Sequence, residues 1–346
     1  MKQHTTIVDI AVELNLSAAT VSRALRKDRY NVSKETMQKV LETARRMGYI
    51  RDESAANLRQ MRSRKIGIIV PESANYFFAT FNNHVQEYLE KEGYMVSSEQ
   101  CYENADLERV NLRKMMDSKV EGIILCACHN SKNMDVYKEL LDMGIPLVFF
   151  DRTVDDIPVS KVKIDDYLKA FFMVEHLIRQ GKRRIIHLAG PSYIQNTHER
   201  IRAYRDALEK FRIPFSYIVE SGVSKEDGEK SMEAFLQKQI PFDAIFCFTE
   251  NAALGAKNCL QRNHFSIPDD VAICCISGTS LSTSIYPTMT AIEQPVQLMA
   301  QKSVELMLEK LEHPDAPCRE VVLESEMFIR ESTVVSRSRV PIVCVP

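Results

Sequence analysis

The chain has 346 residues, 45% of them apolar and 27% charged. That length exceeds one small core and implies two or three domains. No apolar stretch reaches the roughly twenty residues of a membrane span, and the first residues, with Asp9 and Glu13 among them, do not form a secretion signal. The net charge of −2 hides an asymmetry: residues 1–64 hold 13 Lys and Arg against 7 Asp and Glu, a net +6, whereas the remainder carries −8. A basic head on an acidic body points to a polyanion as the head's partner.

The first elements are short. Thr6 followed three residues later by Asp9 is a helix-start signal, and Ile10, Ala11 and Leu14 then recur on one helical face. Asn15 falls where this helix has to stop, and asparagine enters the left-handed region more readily than most residues. Ser17 is placed to cap a second helix carrying Val21 and Leu25 at i, i+4. Ser33 is placed to cap a third, with an apolar face of Met37, Val40, Leu41, Ala44 and Met47, and Gly48 ends it. Two short helices joined by a tight turn and backed by a third make a helix-turn-helix. Its second helix lays N-terminal side chains into a DNA major groove. The hydroxyls of Ser17, Thr20 and Ser22 suit phosphate oxygens, Arg23 can span a guanine edge with two hydrogen bonds, and Ala18 and Ala19 offer methyl contact to thymine. Thr6, Arg26, Ser33 and Tyr49 complete the expected DNA-facing set.

These residues resemble a known family. "TIVDIAVELNLSAATVSRAL" with "VSKETMQKVLETARRMGY" is similar to the DNA-binding head of the LacI/GalR family of bacterial transcription regulators. Asn15 replaces the usual turn glycine, and the loop from Arg26 to Asn31 is longer and more charged than usual. The connector "RDESAANLRQMRSR", residues 51–64, is polar and basic with one isolated large apolar residue, Leu58. The resemblance implies a hinge helix that orders on operator DNA, with Leu58 as a minor-groove wedge and Ala55 and Asn57 facing the groove. Asp52 and Glu53 stand where the family usually has Pro-Asn.

From Lys65 the pattern alternates between short apolar strands and helices. "KIGIIV" is followed by a helix over 78–91, "YMVSSE", a helix over 107–116, "EGIILCA", a helix near 137–143 and "PLVFFD". A second set follows: a helix over 167–179, "RRIIHLAG", a helix over 200–211, "YIVES", a helix over 226–237, "AIFCF", a helix over 252–261 and "VAICCIS". Repeated β-α-β with short apolar strands implies parallel, doubly wound sheets in two lobes, with a ligand beyond the strands' carboxyl ends. A last helix, "QPVQLMAQKSVELMLEKL", and the short strands "REVVLES" and "MFIRES" are expected to cross between the lobes.

The resemblance now covers nearly the whole chain through "VEGIILCA", "GIPLVFFDR", "IIHLAGP", "ERIRAYRDAL", "IPDDVAI", "EQP" and the final "RES". It implies an all-α head joined to a two-lobed α/β domain like that of periplasmic binding proteins. The expected boundaries are 1–50 for the head, 51–64 for the hinge, 65–163 with 292–320 for the first lobe, and 164–291 with 321–340 for the second. The expected effector-contacting residues are Asn75, Phe77, Asp151, Asn196, Arg200, Thr249, Glu250, Ser277 and Gln294. Arg200 is the two-pronged donor among them. Thr249, Ser277 and Val223 depart from the sugar-binding pattern of the family; the expected effector is a sugar, a sugar acid or a sugar phosphate, the anionic classes being one hypothesis because an acid is removed while Arg200 stays.

The nine cysteines form no CxxC pair and the eight histidines no HxxxH, HxH or HExxH arrangement, so neither a metal nor a cofactor is expected. His187, within a strand, reads as a core residue. No nucleophile motif supports an enzyme. The reading is a cytoplasmic, homodimeric regulator of carbohydrate genes that binds double-stranded operator DNA and a small-molecule effector and has no membrane contact. The alternatives are a cytoplasmic solute-binding protein and an effector-independent DNA binder.

Overall fold

The computed structural model describes residues 5–25, 30–49, 63–129 and 132–334. The chain divides into two compact units, residues 1–63 and 64–346.

The head contains α1 (Ile7–Glu13), α2 (Ala18–Leu25) and α3 (Lys34–Arg46). Each start is capped where the sequence places a cap: Thr6 and Asp9 form a reciprocal capping box, Ser17 Oγ accepts from Thr20 N–H at 3.0 Å, and Ser33 Oγ accepts from Thr36 N–H at 3.1 Å. Ile10, Val21, Ala24 and Val40 are sealed in the small core that the three helices share. Two of the helices close alike. After α1, Leu16 N–H donates to Ala11 O (2.9 Å) and Asn15 N–H to Val12 O (3.2 Å); after α3, Tyr49 N–H donates to Ala44 O (2.8 Å) and Gly48 N–H to Arg45 O (3.1 Å). This closure needs a left-handed residue, and Asn15 (φ 52°) and Gly48 (φ 66°) supply it. Asn15→Ala is therefore expected to destabilise the head by about 1 kcal/mol, and Asn15→Gly to be neutral or better. Hydrogen exchange of the head amides in the full chain measures both.

The second unit holds two six-stranded sheets. The first has the order β11-β5-β4-β3-β1-β2, all parallel, from β1 (Lys65–Val70), β2 (Met95–Gln100), β3 (Gly122–Leu125), β4 (Leu147–Phe150), β5 (Ser160–Ile164) and β11 (Glu320–Leu323). One face is covered by α4 (Tyr76–Lys91) and α12 (Val296–Glu312), with Phe81 stacked on Phe150 at 3.6 Å between ring centroids. The other is covered by α5 (Ala105–Asp117) and α6 (Met134–Asp142), which bury Leu112, Met115, Val136 and Leu140.

The second sheet repeats that order as β12-β10-β9-β8-β6-β7, from β6 (Ile185–Ala189), β7 (Tyr217–Glu220), β8 (Ala244–Cys247), β9 (Ala272–Gly278), β10 (Thr290–Glu293) and β12 (Glu326–Phe328). Only β12 runs antiparallel to its neighbour. On one face lie α7 (Asp166–Arg179) and α8 (Gln195–Lys210). On the other lie α9 (Lys225–Leu236) and α10 (Glu250–Arg262), and a short α11 (Leu281–Ser284) follows β9. The helices α9 and α10 meet at two glycines. A Cβ on Gly228 would stand 2.2 Å from Ala252 O, and one on Gly255 would stand 1.9 Å from Lys225 O, so neither position tolerates a side chain unless a backbone moves.

Several expectations need correction. Strands β5 and β10 lie in segments where no strand is expected. Helix α8 begins at Gln195, not Arg200, because the polar stretch "QNTHE" continues the helix from an N-cap, Ile194, that has no side-chain bond to announce it. The expected lobe boundaries cut through strands: residues 321–323 pair with β5 in the first sheet, Ile164 ends β5, and residues 292–293 belong to β10 in the second sheet. Among the last elements, α12 and β11 belong to the first lobe and β12 to the second.

Candidate functional site

In the head, Ser17, Ala18, Ala19 and Arg23 are exposed along the first two turns of α2, Thr20 and Ser22 are partly so, and Ser17 Oγ and Thr20 Oγ1 are hydrogen bonded at 2.8 Å. The side chains of Thr6 and Ser33 are held in the helix caps, and Tyr49 packs against the small core. The expected contacts Arg26, Ala55, Asn57 and Leu58 lie outside the described residues.

In the second unit, the carboxyl ends of the two sheets border a cleft that is open to solvent. Asn75, Phe77, Asp151, Asn196, Arg200, Thr249, Glu250 and Ser277 all line it. Gln294 is not among the lining residues; its Nε2 donates to Asp151 Oδ1 at 2.8 Å from behind. Several of the expected contacts are already engaged. Asn75 caps α4 by accepting from Phe77 N–H at 2.9 Å. Thr249 caps α10 through Ala252 N–H and donates to Val223 O, each at 3.1 Å. Glu250 accepts from Thr279 N–H (3.0 Å), Thr279 Oγ1 (2.5 Å) and Ser282 Oγ, so this carboxylate secures the loop after β9.

Arg200 is 2% exposed and lies in the second turn of α8. Its Nε and Nη2 reach Asp166 Oδ1 at 2.8 and 2.6 Å, its Nη1 donates to Phe248 O at 2.5 Å, and its guanidinium lies over the Phe248 ring at 4.3 Å. Asp166 Oδ2 accepts from Asn196 Nδ2 at 2.9 Å. Three of the five guanidinium N–H groups are thereby satisfied, leaving two for another acceptor. Sequence reasoning did not single out Arg152, Phe248, Tyr76, Phe78, Asn251, Thr279 or Leu281, which also line the cleft. The signal for Arg152 was its place directly after Asp151 at the end of β4. Arg152 is buried, pairs with Glu103 at 2.6 Å and lies 5.9 Å from the Phe78 ring. Burial works against its charge, but Glu103 outweighs that and keeps it cationic.

Burial pushes the Asp166 carboxyl up to about 6; Arg200 opposes the rise and Asp151 adds to it. An acid raised in the folded state penalises folding fully above that value; the penalty shrinks as pH falls below about 6 and Asp166 takes a proton, and it is gone only below the ordinary carboxylate value of 3.8. Protonation also removes a negative charge from beside the Arg200 guanidinium. An anionic cleft ligand is therefore expected to bind more tightly at pH 5.5 than at pH 7.5, with the step near 6. Calorimetry across that range tests this, and Asp166→Asn flattens the profile.

His187 is fully buried, bonded through Nδ1 to Phe246 O (2.9 Å) and stacked on Phe246; burial lowers it to about 4, and it takes no part in the cleft.

The geometry has counterparts among known proteins. Residues 6–52 match the model for bacterial regulatory proteins of the lacI family, and residues 63–331 the model for periplasmic binding proteins and the sugar binding domain of the LacI family. The chain belongs to the LacI family. It is 28% identical to the ribose operon repressor of Halalkalibacterium halodurans over 95% of this chain and 97% of that one. It is also 28% identical to the HTH-type transcriptional repressor CytR of Escherichia coli, over 96% and 98% of the two chains. In fold it is similar to the lac repressor dimer bound to operator and an anti-inducer, with a TM-score of 0.84, 21% identity, and 96% of this chain and all of that one covered. The LacI family is one of regulators rather than enzymes. No helix among the described residues is long and apolar enough to cross a membrane.

Proposed function

We propose that the chain is a cytoplasmic, homodimeric transcriptional repressor of carbohydrate genes, released from or fixed to its operator by a small anionic effector. The observation that carries the effector class is the pair of buried guanidiniums, Arg152 and Arg200, on the cleft wall. A guanidinium with N–H groups to spare, as at Arg200, suits the oxygens of a carboxylate or phosphate, while Asp151, Asn196 and Asn251 offer polar partners to hydroxyls. A sugar acid or sugar phosphate satisfies both sets. Support for the regulatory part comes from relatives named as repressors along their whole length and from the exposed polar face of α2.

Two heads in a dimer read two half-sites, so the operator is a pseudo-palindrome. Effector and operator binding are coupled by one free energy, each changing the other's affinity by the same factor. The test is fluorescence anisotropy of the purified protein on duplex from its own upstream region and on random duplex, repeated with neutral sugars, sugar acids and sugar phosphates. Equal affinity for both duplexes under every condition overturns the regulatory reading. Calorimetric binding of a neutral sugar alone overturns the effector class.

Arg23→Ala is expected to cost about 1–3 kcal/mol on the cognate operator and to relax preference at one base pair. Affinities for a panel of single-base operator variants check this.

A further inference from the structure

Away from the cleft lining, three side chains converge at the carboxyl edge of the first sheet. Cys101 follows β2, Cys128 follows β3, and Glu108 reaches up from α5. One ligand atom of each lies within 4.8 Å of the other two, and all three residues are at most 1% exposed. The sequence gives no warning of this, because Cys101 and Cys128 lie far apart in the chain and flank the end of β1 only once the sheet forms.

The surroundings are set as a donor shell. Glu108 Oε1 accepts from Tyr137 OH (2.5 Å) and Asn133 Nδ2 (2.7 Å), while Oε2 accepts from Cys128 N–H (2.9 Å). The carboxylate is thus locked in place with coordinating capacity left on Oε2. The Asn133 amide also donates to Ala105 O at 2.8 Å, but its Oδ1 is buried and has no hydrogen-bond partner among the described residues. An orphaned oxygen in a 1% exposed residue is costly unless something accepts its lone pairs.

We propose that Cys101, Cys128 and Glu108 bind one thiophilic divalent cation of the zinc type, with Asn133 Oδ1 as fourth donor or as the partner of a bound water. Tetrahedral zinc with metal–sulfur bonds of about 2.3 Å and metal–oxygen bonds of about 2.1 Å sets its donors roughly 3.5–3.8 Å apart, inside the 4.8 Å that bounds the three-atom cluster. Binding forms two metal–sulfur bonds, releases two thiol protons to solvent and involves no change of oxidation state. The site adjoins both lobes. Glu103, two residues after Cys101, pairs with Arg152, and the ring of His129, next to Cys128, stacks on Tyr193 of the second lobe at 5.4 Å and 5°.

The test uses the full-length protein, reduced and then freed of chelator, titrated with Co²⁺ and with Zn²⁺. One equivalent of Co²⁺ is expected to produce thiolate-to-cobalt charge-transfer absorption, and Zn²⁺ to abolish it. Cys101→Ser and Cys128→Ser should each lose the band, Asn133→Ala should weaken affinity about tenfold, and Cys318→Ser, which removes an exposed thiol elsewhere, should change nothing. X-ray absorption at the zinc edge of the wild-type protein should give two sulfur neighbours and does not depend on any variant folding. No charge-transfer band, a band retained in both cysteine variants, or a zinc shell of nitrogen and oxygen alone overturns the proposal. So does a mass lower by two hydrogens in the reduced preparation, which assigns the pair to a disulfide.

Discussion

Arg200→Ala is expected to destabilise the second unit by about 3–5 kcal/mol and to abolish the response to effector. Removing one member of a buried, hydrogen-bonded pair leaves the other charge stranded. Here the stranded group is Asp166, whose remaining partner is Asn196, and Phe248 O loses its donor as well. Urea unfolding of the full chain measures the stability term, and operator binding with and without effector measures the functional one. The double variant Asp166→Leu/Arg200→Met separates the two. It replaces the pair by apolar groups of similar size, so most of the stability should return, while effector binding should not. A double variant that recovers both would remove Arg200 from the binding reading.

The second large effect is expected at the α9–α10 crossing. In an exposed helix Gly→Ala stabilises by up to about 1 kcal/mol. At Gly255 the sign should invert, because the new methyl meets Lys225 O at 1.9 Å and Glu229 N at 2.7 Å, both backbone atoms that cannot rotate away. Overpacking of this kind costs about 1–3 kcal/mol or more. Gly228→Ala should act in the same direction, with Ala252 O at 2.2 Å. Helix α10 starts at the cleft, with Thr249 as its cap and Glu250 as its first residue. Spreading the two helices should therefore weaken effector binding as well as lower the urea midpoint. An unchanged or raised midpoint for Gly255→Ala shows that the crossing relaxes without cost.

What could be read from the sequence follows from how each signal is carried. The head was legible because its caps and left-handed turns are local: Thr6, Ser17, Ser33, Asn15 and Gly48 each act within five residues of themselves. Strands such as β1 and β9 were legible because they are buried on both faces and read as continuous apolar runs. Strand β5 was missed because its alternate positions are Lys161 and Lys163, whose ammonium groups pair with Asp155 and Glu320. A half-polar strand between polar loops offers no apolar run.

The cleft was legible as a place, since strand ends can be located, but not as a set of free groups. Whether Thr249 and Glu250 remain available depends on Val223, Thr279 and Ser282, and no spacing rule links those residues. Arg200 was placed at a helix start because "QNTHE" has no cap to mark the true one. The Cys101–Glu108–Cys128 cluster was invisible for the same kind of reason, since it is made by sheet order and not by separation in the chain.

The sheet order also governs how the protein is made. The first sheet gains its edge strand β11 only when residues 320–323 emerge, after the whole second sheet except β12 has been synthesised. At about 5–20 residues per second the ribosome spends roughly 8–30 s between β5 and β11. Throughout that interval the β5 edge, later covered, can pair with any neighbouring nascent chain. A chain that stops between β10 and β11 therefore holds two unfinished sheets instead of one finished lobe.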